Sequence, residues 1–293
     1  MSNVLKAFNN IANFGNNDLS GYSSTYLIRI NAVGEQLEFY VKDSFADSFT
    51  ERQPEKERRY NELFSYQGSQ NNPPDLILRK GDAFEIKKIE RGKRSHIQLN
   101  SSHPKDRLYS SDPRITEECR GCEDLLWDTK DLFYVVGWTP KGRIRYLFFV
   151  QGVCYAAPKV VYERLDTELK NQFSGAIRSL GLEKKDTVEL GRVTDVDPLG
   201  ITELRIRGMW IIQNPVKIFS EHYQWNENAD FSMVGIMTKE KYDSFPQEDR
   251  ARLENNSRIQ LTNMNARDPS NRESTIESKL IVSERTVQRT LAS

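Results

Sequence analysis

The sequence predicts a mixed α/β domain, one central mixed sheet flanked by helices, and three observations carry that prediction. An amphipathic helical pattern runs through "LIRINAVGEQLEFYVKDSF", residues 27 to 45. Two short apolar runs flank a glycine-bearing turn in "DLILRKGDAFEIKKI", residues 75 to 89. Two longer apolar runs, residues 132 to 138 and 145 to 153, have the length and composition of central strands.

In the first segment Leu27, Ile30, Val33, Leu37, Val41 and Phe45 recur at spacings of three and four, the stripe of a helix with one buried face. At about 100° per residue Glu38 falls on the edge of that stripe and Glu35 on its wetter side, so Glu38 is the helical carboxylate placed to reach a site. After the charged stretch "ERQPEKERR", the runs "DLILR" and "AFEIKKI" predict a β-hairpin across "KGD". Strand parity then puts Glu85 and Lys87 on one face of the second arm, with Phe84 and Ile86 on the other. "LFYVVGW" and "RYLFFVQGV" are parted by "TPKGRI" and predict neighbouring strands. "KVVYERLDTELKNQFSGAIRSLG" predicts a helix that Gly181 closes. "ITELRIRGMWIIQ" alternates as one strand, with Arg205 and Arg207 on a single face. From about Asn226 the apolar density falls, so the working domain is expected over residues 1–225, with a loop-rich C-terminal extension over 226–293.

A chain of 293 residues, 37% apolar, can bury a sizeable core. No run approaches the roughly 18 apolar residues of a membrane span, and "MSNVLKAFNNIANFGNN" lacks the apolar block of a signal peptide, which predicts a cytoplasmic protein with no membrane attachment. Cys119, Cys122 and Cys154 are an odd set for a disulfide framework, and the "ECRGC" pair has no second CxxC or HxxxH to complete a zinc site. The 42 basic and 42 acidic residues cancel overall. Between Ile86 and Arg107, however, Lys87, Lys88, Arg91, Lys93, Arg94, Lys105 and Arg107 face only Glu90 and Asp106, a local basic surplus.

The hairpin is the part of the chain that carries chemistry. Pairing of its arms brings Asp75 close to Glu85, with Lys87 one side chain further on the same face. Two adjacent carboxylates repel, and one takes up a proton unless a cation lies between them. A hard divalent ion such as Mg²⁺ relieves that repulsion and can present a water to a phosphate group, beside an ammonium that stabilises developing charge. The same pattern is also consistent with a solvent-facing ion pair on a strand.

Pro74-Asp75 with Glu85-Ile86-Lys87 resembles the short signature of the PD-(D/E)xK nuclease superfamily. The longer stretches "FSYQGSQNNPPDLILRKGDAFEIKKIE", "LNSSHPKDRL" and "LGRVTDVDPLGITELRIRGMW" resemble the NgoPII-like type II restriction endonucleases, over about residues 30 to 220. That resemblance implies a restriction-endonuclease-like core and a homodimeric, Mg²⁺-dependent enzyme. Such an enzyme cuts both strands of double-stranded DNA at a short palindromic site of the GGCC type, leaving 5′-phosphates. It further implies Asp75 and Glu85 as metal ligands, Lys87 as catalytic lysine and Glu38 as an accompanying helical carboxylate. With DNA as partner, Ser101, Ser102, His103 and Lys105 of "NSSHPK" are expected to contact phosphate or groove, and Arg205 and Arg207 either to read guanine edges or to form cross-strand ion pairs with acids such as Glu203. Two other functions fit the same residues: a repair or structure-specific nuclease of the same fold, and a non-catalytic DNA-binding module.

Overall fold

Side-chain alternation along one strand decides how the sheet is covered. In the segment 129 to 138, Phe133 and Val135 point into one buried cluster while Leu132, Tyr134 and Val136 point into another on the opposite face. A strand buried on both faces must be central, and the computed structural model of the protein places it there. The structure describes residues 1–22, 32–68, 72–100, 102–182, 185, 187, 189–194, 196–199 and 201–286.

The chain begins with α1 (Val4–Phe14), α2 (Ala32–Ala46) and α3 (Gln53–Leu63), followed by β1 (Phe64–Gln67), β2 (Leu76–Leu78) and β3 (Ala83–Ile89). β4 (Ile97–Asn100), β5 (Arg107–Tyr109) and the short α4 (Glu117–Arg120) lead into β6 (Thr129–Trp138) and β7 (Tyr146–Gln151). The long helix α5 (Lys159–Ser179) precedes three short strands, β8 (Gly191–Val193), β9 (Leu204–Ile206) and β10 (Trp210–Ile212), and then α6 (Pro215–Ile218). The chain continues through β11 (Phe231–Thr238), α7 (Lys239–Ser244), α8 (Gln247–Glu254), β12 (Gln260–Asp268) and β13 (Asn271–Arg285).

The main sheet runs β1-β2-β3-β6-β7-β11-β13-β12, with β5 added along β6. Its β3–β6 and β7–β11 pairs are parallel and its other pairs antiparallel, so it is mixed, as predicted. One face is covered by α1, α2 and α8 through Leu5, Phe8, Ile11, Leu37, Val41, Phe45 and Leu253. The described part of the predicted stripe, Leu37, Val41 and Phe45, is therefore buried, while Leu27 and Ile30 lie outside the described residues. Close approach of α2 to the sheet depends on Gly137 of β6, where a Cβ would stand 2.8 Å from Leu37 Cδ2. The second face is covered by Ile212 of β10 and by α6 and the segment after it, through Val216, Phe219, Tyr223 and Trp225.

Two expectations are corrected. Residues 201 to 213 do not form one strand: β9 pairs with β8, and β10 pairs with β4, in separate two-stranded sheets on either side of Gly208. Nor is the C-terminal segment loop-rich up to residue 286, because β11 lies between β7 and β13 and the β12–β13 hairpin closes that end of the sheet. Its low apolar density has a physical cause: β12 is an edge strand whose outward residues face solvent, and only Met264 and Ala266 of it are buried.

Candidate active site

β2 and β3 pair antiparallel, Leu76 opposite Phe84 and Ile77 opposite Ala83, so the residue just before β2 lies level with the middle of β3. That residue is Asp75. Its backbone N–H donates to the Phe84 carbonyl at 3.0 Å, and its Oδ2 accepts from the Ile86 N–H at 2.5 Å. Glu85 and Lys87 flank Ile86, and Lys87 Nζ meets Glu85 Oε1 at 2.5 Å. The structure thus brings Asp75, Glu85 and Lys87 together, on the rim of the sheet face that Tyr134 shares.

Burial, and after it the Glu85 carboxylate, push the Asp75 carboxyl up to about 8, while Lys87 and the Ile86 N–H pull the other way. Burial works against the Lys87 charge, but Glu85 and Asp75 together hold its ammonium above the ordinary lysine value. Glu85 Oε2 is buried without a hydrogen-bond partner. Among the described residues no three or more His, Cys, Asp and Glu side chains gather tightly enough to hold a metal on their own. Two carboxylates with one unpartnered oxygen are nevertheless a fitting donor set for a hard cation that keeps several waters. Glu38 sits on α2 with its Oε1 2.7 Å from Lys42 Nζ, and it adds to the upward push on Asp75 without joining the Asp75–Glu85 pair.

A narrow cleft beside Glu85 is walled by Ser102, His103, Lys105 and Tyr134, so part of "NSSHPK" does stand at the carboxylates. Ser101 lies outside the described residues. Ser102 Oγ is buried and unpartnered. His103 stacks on Tyr162 of α5 at 5.4 Å and meets Trp210 of β10 edge-on at 6.3 Å. Burial first, then Lys105, holds the His103 imidazole below its ordinary value. Lys105 is 4% exposed, with its ammonium 2.5 Å from Asp112 Oδ2 and its backbone N–H on the Tyr134 hydroxyl. Its charge is engaged inside the protein.

The same holds for much of the basic stretch. Lys93 and Arg94 reach Glu227, Lys88 reaches Glu90, and Arg107 reaches Asp131 at 3.1 Å. Acids distant in sequence cancel a surplus that looked local. Arg205 and Arg207 do lie together: both engage Glu189, while the nearby Glu203 is taken by Arg192. Tyr134, Tyr162, Trp210 and Glu189 went unnoticed in the sequence. Tyr134 stands opposite Glu85 in the parallel β3–β6 register and shares its face, a pairing that no local sequence pattern shows.

The chain is similar to known proteins along most of its length. The model of the NgoPII restriction endonuclease family matches residues 2–267, and so runs through β11, both helices after it and most of β12. The "Type II restriction enzyme NgoPII" of Neisseria gonorrhoeae is 38% identical over 275 residues, covering 92% of this chain and 96% of that protein. No solved structure matches the chain. Among the described residues no helix is long and apolar enough to cross a membrane.

Proposed function

The chain belongs to the NgoPII restriction endonuclease family, and we propose from that premise that it hydrolyses both strands of duplex DNA at a short palindromic site. The site is of the GGCC type, the cofactor Mg²⁺ and the products 5′-phosphates; the enzyme works in the cytoplasm as a homodimer. The observation that carries this reading is the meeting of Asp75, Glu85 and Lys87 at one point of the sheet, in the order of the PD-(D/E)xK signature.

Asp75 and Glu85 are the residues that would hold the divalent ion. When bound, such an ion neutralises phosphate charge and makes a coordinated water more acidic. The two carboxylates then keep their negative charge at no mutual cost, because the cation answers both. Lys87, drawn in by Glu85, offers its Nζ protons to the phosphoryl oxygens on which charge accumulates. Ser102 Oγ, buried at the cleft wall, is a donor for a phosphate oxygen, and the ring of His103 is held for contact by Tyr162 and Trp210. A two-fold dimer places one such site on each strand of a palindrome.

A digest of a sequenced plasmid with Mg²⁺, followed by mapping of the ends, tests the proposal. Wild-type protein is expected to give discrete fragments cut at one sequence, and Asp75→Ala, Glu85→Ala and Lys87→Ala each to lose on the order of a thousandfold or more in rate. Near-normal cutting by Glu85→Ala would remove this site from consideration. Random nicking by the wild type would replace restriction by a less specific nuclease activity.

A further inference from the structure

We infer that Glu189 is a positioning residue for base readout: its single carboxylate fixes the guanidinium groups of Arg205 and Arg207 together and so sets which base pairs the enzyme accepts. The inference rests on the reading of the chain as a sequence-specific nuclease. Arg205 engages Glu189 twice, Nε on Oε2 at 3.0 Å and Nη2 on Oε1 at 2.6 Å, and Arg207 places its Nε on the same Oε1 at 2.6 Å. Each arginine side chain is 52% exposed, so one carboxylate ties together two cations that face solvent.

The geometry leaves Arg205 Nη1 and both Nη nitrogens of Arg207 outside the ion pair. A guanidinium is planar, so holding it at Nε fixes the orientation of the remaining fork. Reading a guanine takes a fork whose plane is already set, and fixing it before DNA arrives removes an entropic cost from the specific complex. Two cations on one acid also leave a net positive charge for DNA. The β8–β9 hairpin has separate ties, Arg192 to Glu203 across the strands and Asp197 accepting from the N–H groups of Leu199, Ile201 and Thr202. Glu189 is therefore not needed to close it.

Position supports the assignment. Glu189 and Arg207 line a cleft with Trp210, which packs against His103, and His103 lines the cleft of Glu85. A continuous run of side chains thus joins the arginine pair to the carboxylates.

The test starts with wild-type enzyme, Mg²⁺ and a sequenced plasmid, which yield the cut site. Duplexes bearing that site, and duplexes with one base pair of it changed, are then the probes. For Glu189→Gln the ratio of kcat/KM on the mapped site to that on the changed sites is expected to fall, by up to the roughly 5- to 150-fold that one bidentate contact commands. Affinity for an unrelated duplex should hold or rise, since an acid has gone. Glu189→Asp keeps the charge but not the reach to both arginines, and its ratio should lie between the two. Should Glu189→Gln fail to fold, Arg207→Lys, which keeps the charge and loses the fork, is expected to reproduce the loss of discrimination. A ratio unchanged in these variants, or equal losses on every duplex, overturns the inference. Wild-type enzyme that yields no discrete cut site overturns the underlying reading instead.

Discussion

Replacing Asp75 by asparagine is expected to stabilise the metal-free protein at pH 8 while removing its response to Mg²⁺. The Asp75 carboxyl is pushed up to about 8, by burial and then by Glu85, from an ordinary value of 3.8. A folded state that binds a proton more tightly than the unfolded one loses stability as pH rises through the interval between the two values, here from about 4 to about 8, and has lost all of it above. At about 1.4 kcal/mol for each pH unit, the ceiling is about 6 kcal/mol. Lys87 and the Ile86 N–H, which favour the charged form, also lose a partner in the variant, so a gain of about 2 to 3 kcal/mol is the working expectation. For a chain of this size that is a rise in Tm of about 4 to 6 °C at pH 8, shrinking towards nothing near pH 4 to 5, where the wild-type carboxyl is already neutral. Thermal unfolding in EDTA at several pH values measures it, and the same scans with Mg²⁺ should raise the wild type far more than the variant. A variant no more stable than wild type at pH 8 in EDTA, or equally shifted at pH 5 and pH 8, would refute the account of a carboxylate pair waiting for a cation.

Lys105→Met should cost about 3 to 5 kcal/mol in urea unfolding, because it leaves Asp112 charged and unpaired in a buried place, and this cost separates it from a surface phosphate contact. Gly137→Ala should lose about 1 to 3 kcal/mol in the same assay, since the new methyl meets Leu37 across the α2–sheet contact. Light scattering with and without the mapped duplex should give twice 34.0 kDa, and a monomer under both conditions would remove the dimer.

The parts of the fold that were legible are those in which burial is periodic. Leu37, Val41 and Phe45 repeat at helical spacing and are buried, and the apolar runs of β6 and β7 are central strands. α3 reads only as a charged stretch because its anchor is polar. Lys56 and Tyr60 turn inward to Asp43, which is fully buried and also accepts from Tyr22 and Ser48. A helix held by one buried acid has no apolar stripe to display. β12 and β13 escape notice for the complementary reason, since an edge hairpin needs only alternate small or apolar residues.

The same contrast governs the site. Asp75, Glu85 and Lys87 are legible because a hairpin is local: ten residues and one turn decide which side chains meet. Charges are not legible in that way, since a partner can come from anywhere in the chain. Lys93 is answered by Glu227, and Asp82 and Asp131 by Lys241 of α7, across more than a hundred residues in each case. Counting charges in a window therefore overstated the positive surface near "NSSHPK", where Lys105 belongs to Asp112. It also hid an arrangement of the opposite kind, in which Glu189 gathers Arg205 and Arg207 from 16 and 18 residues away and leaves them exposed. Base readout is accordingly expected where one acid holds two exposed arginines. The basic run itself is already largely neutralised within the protein.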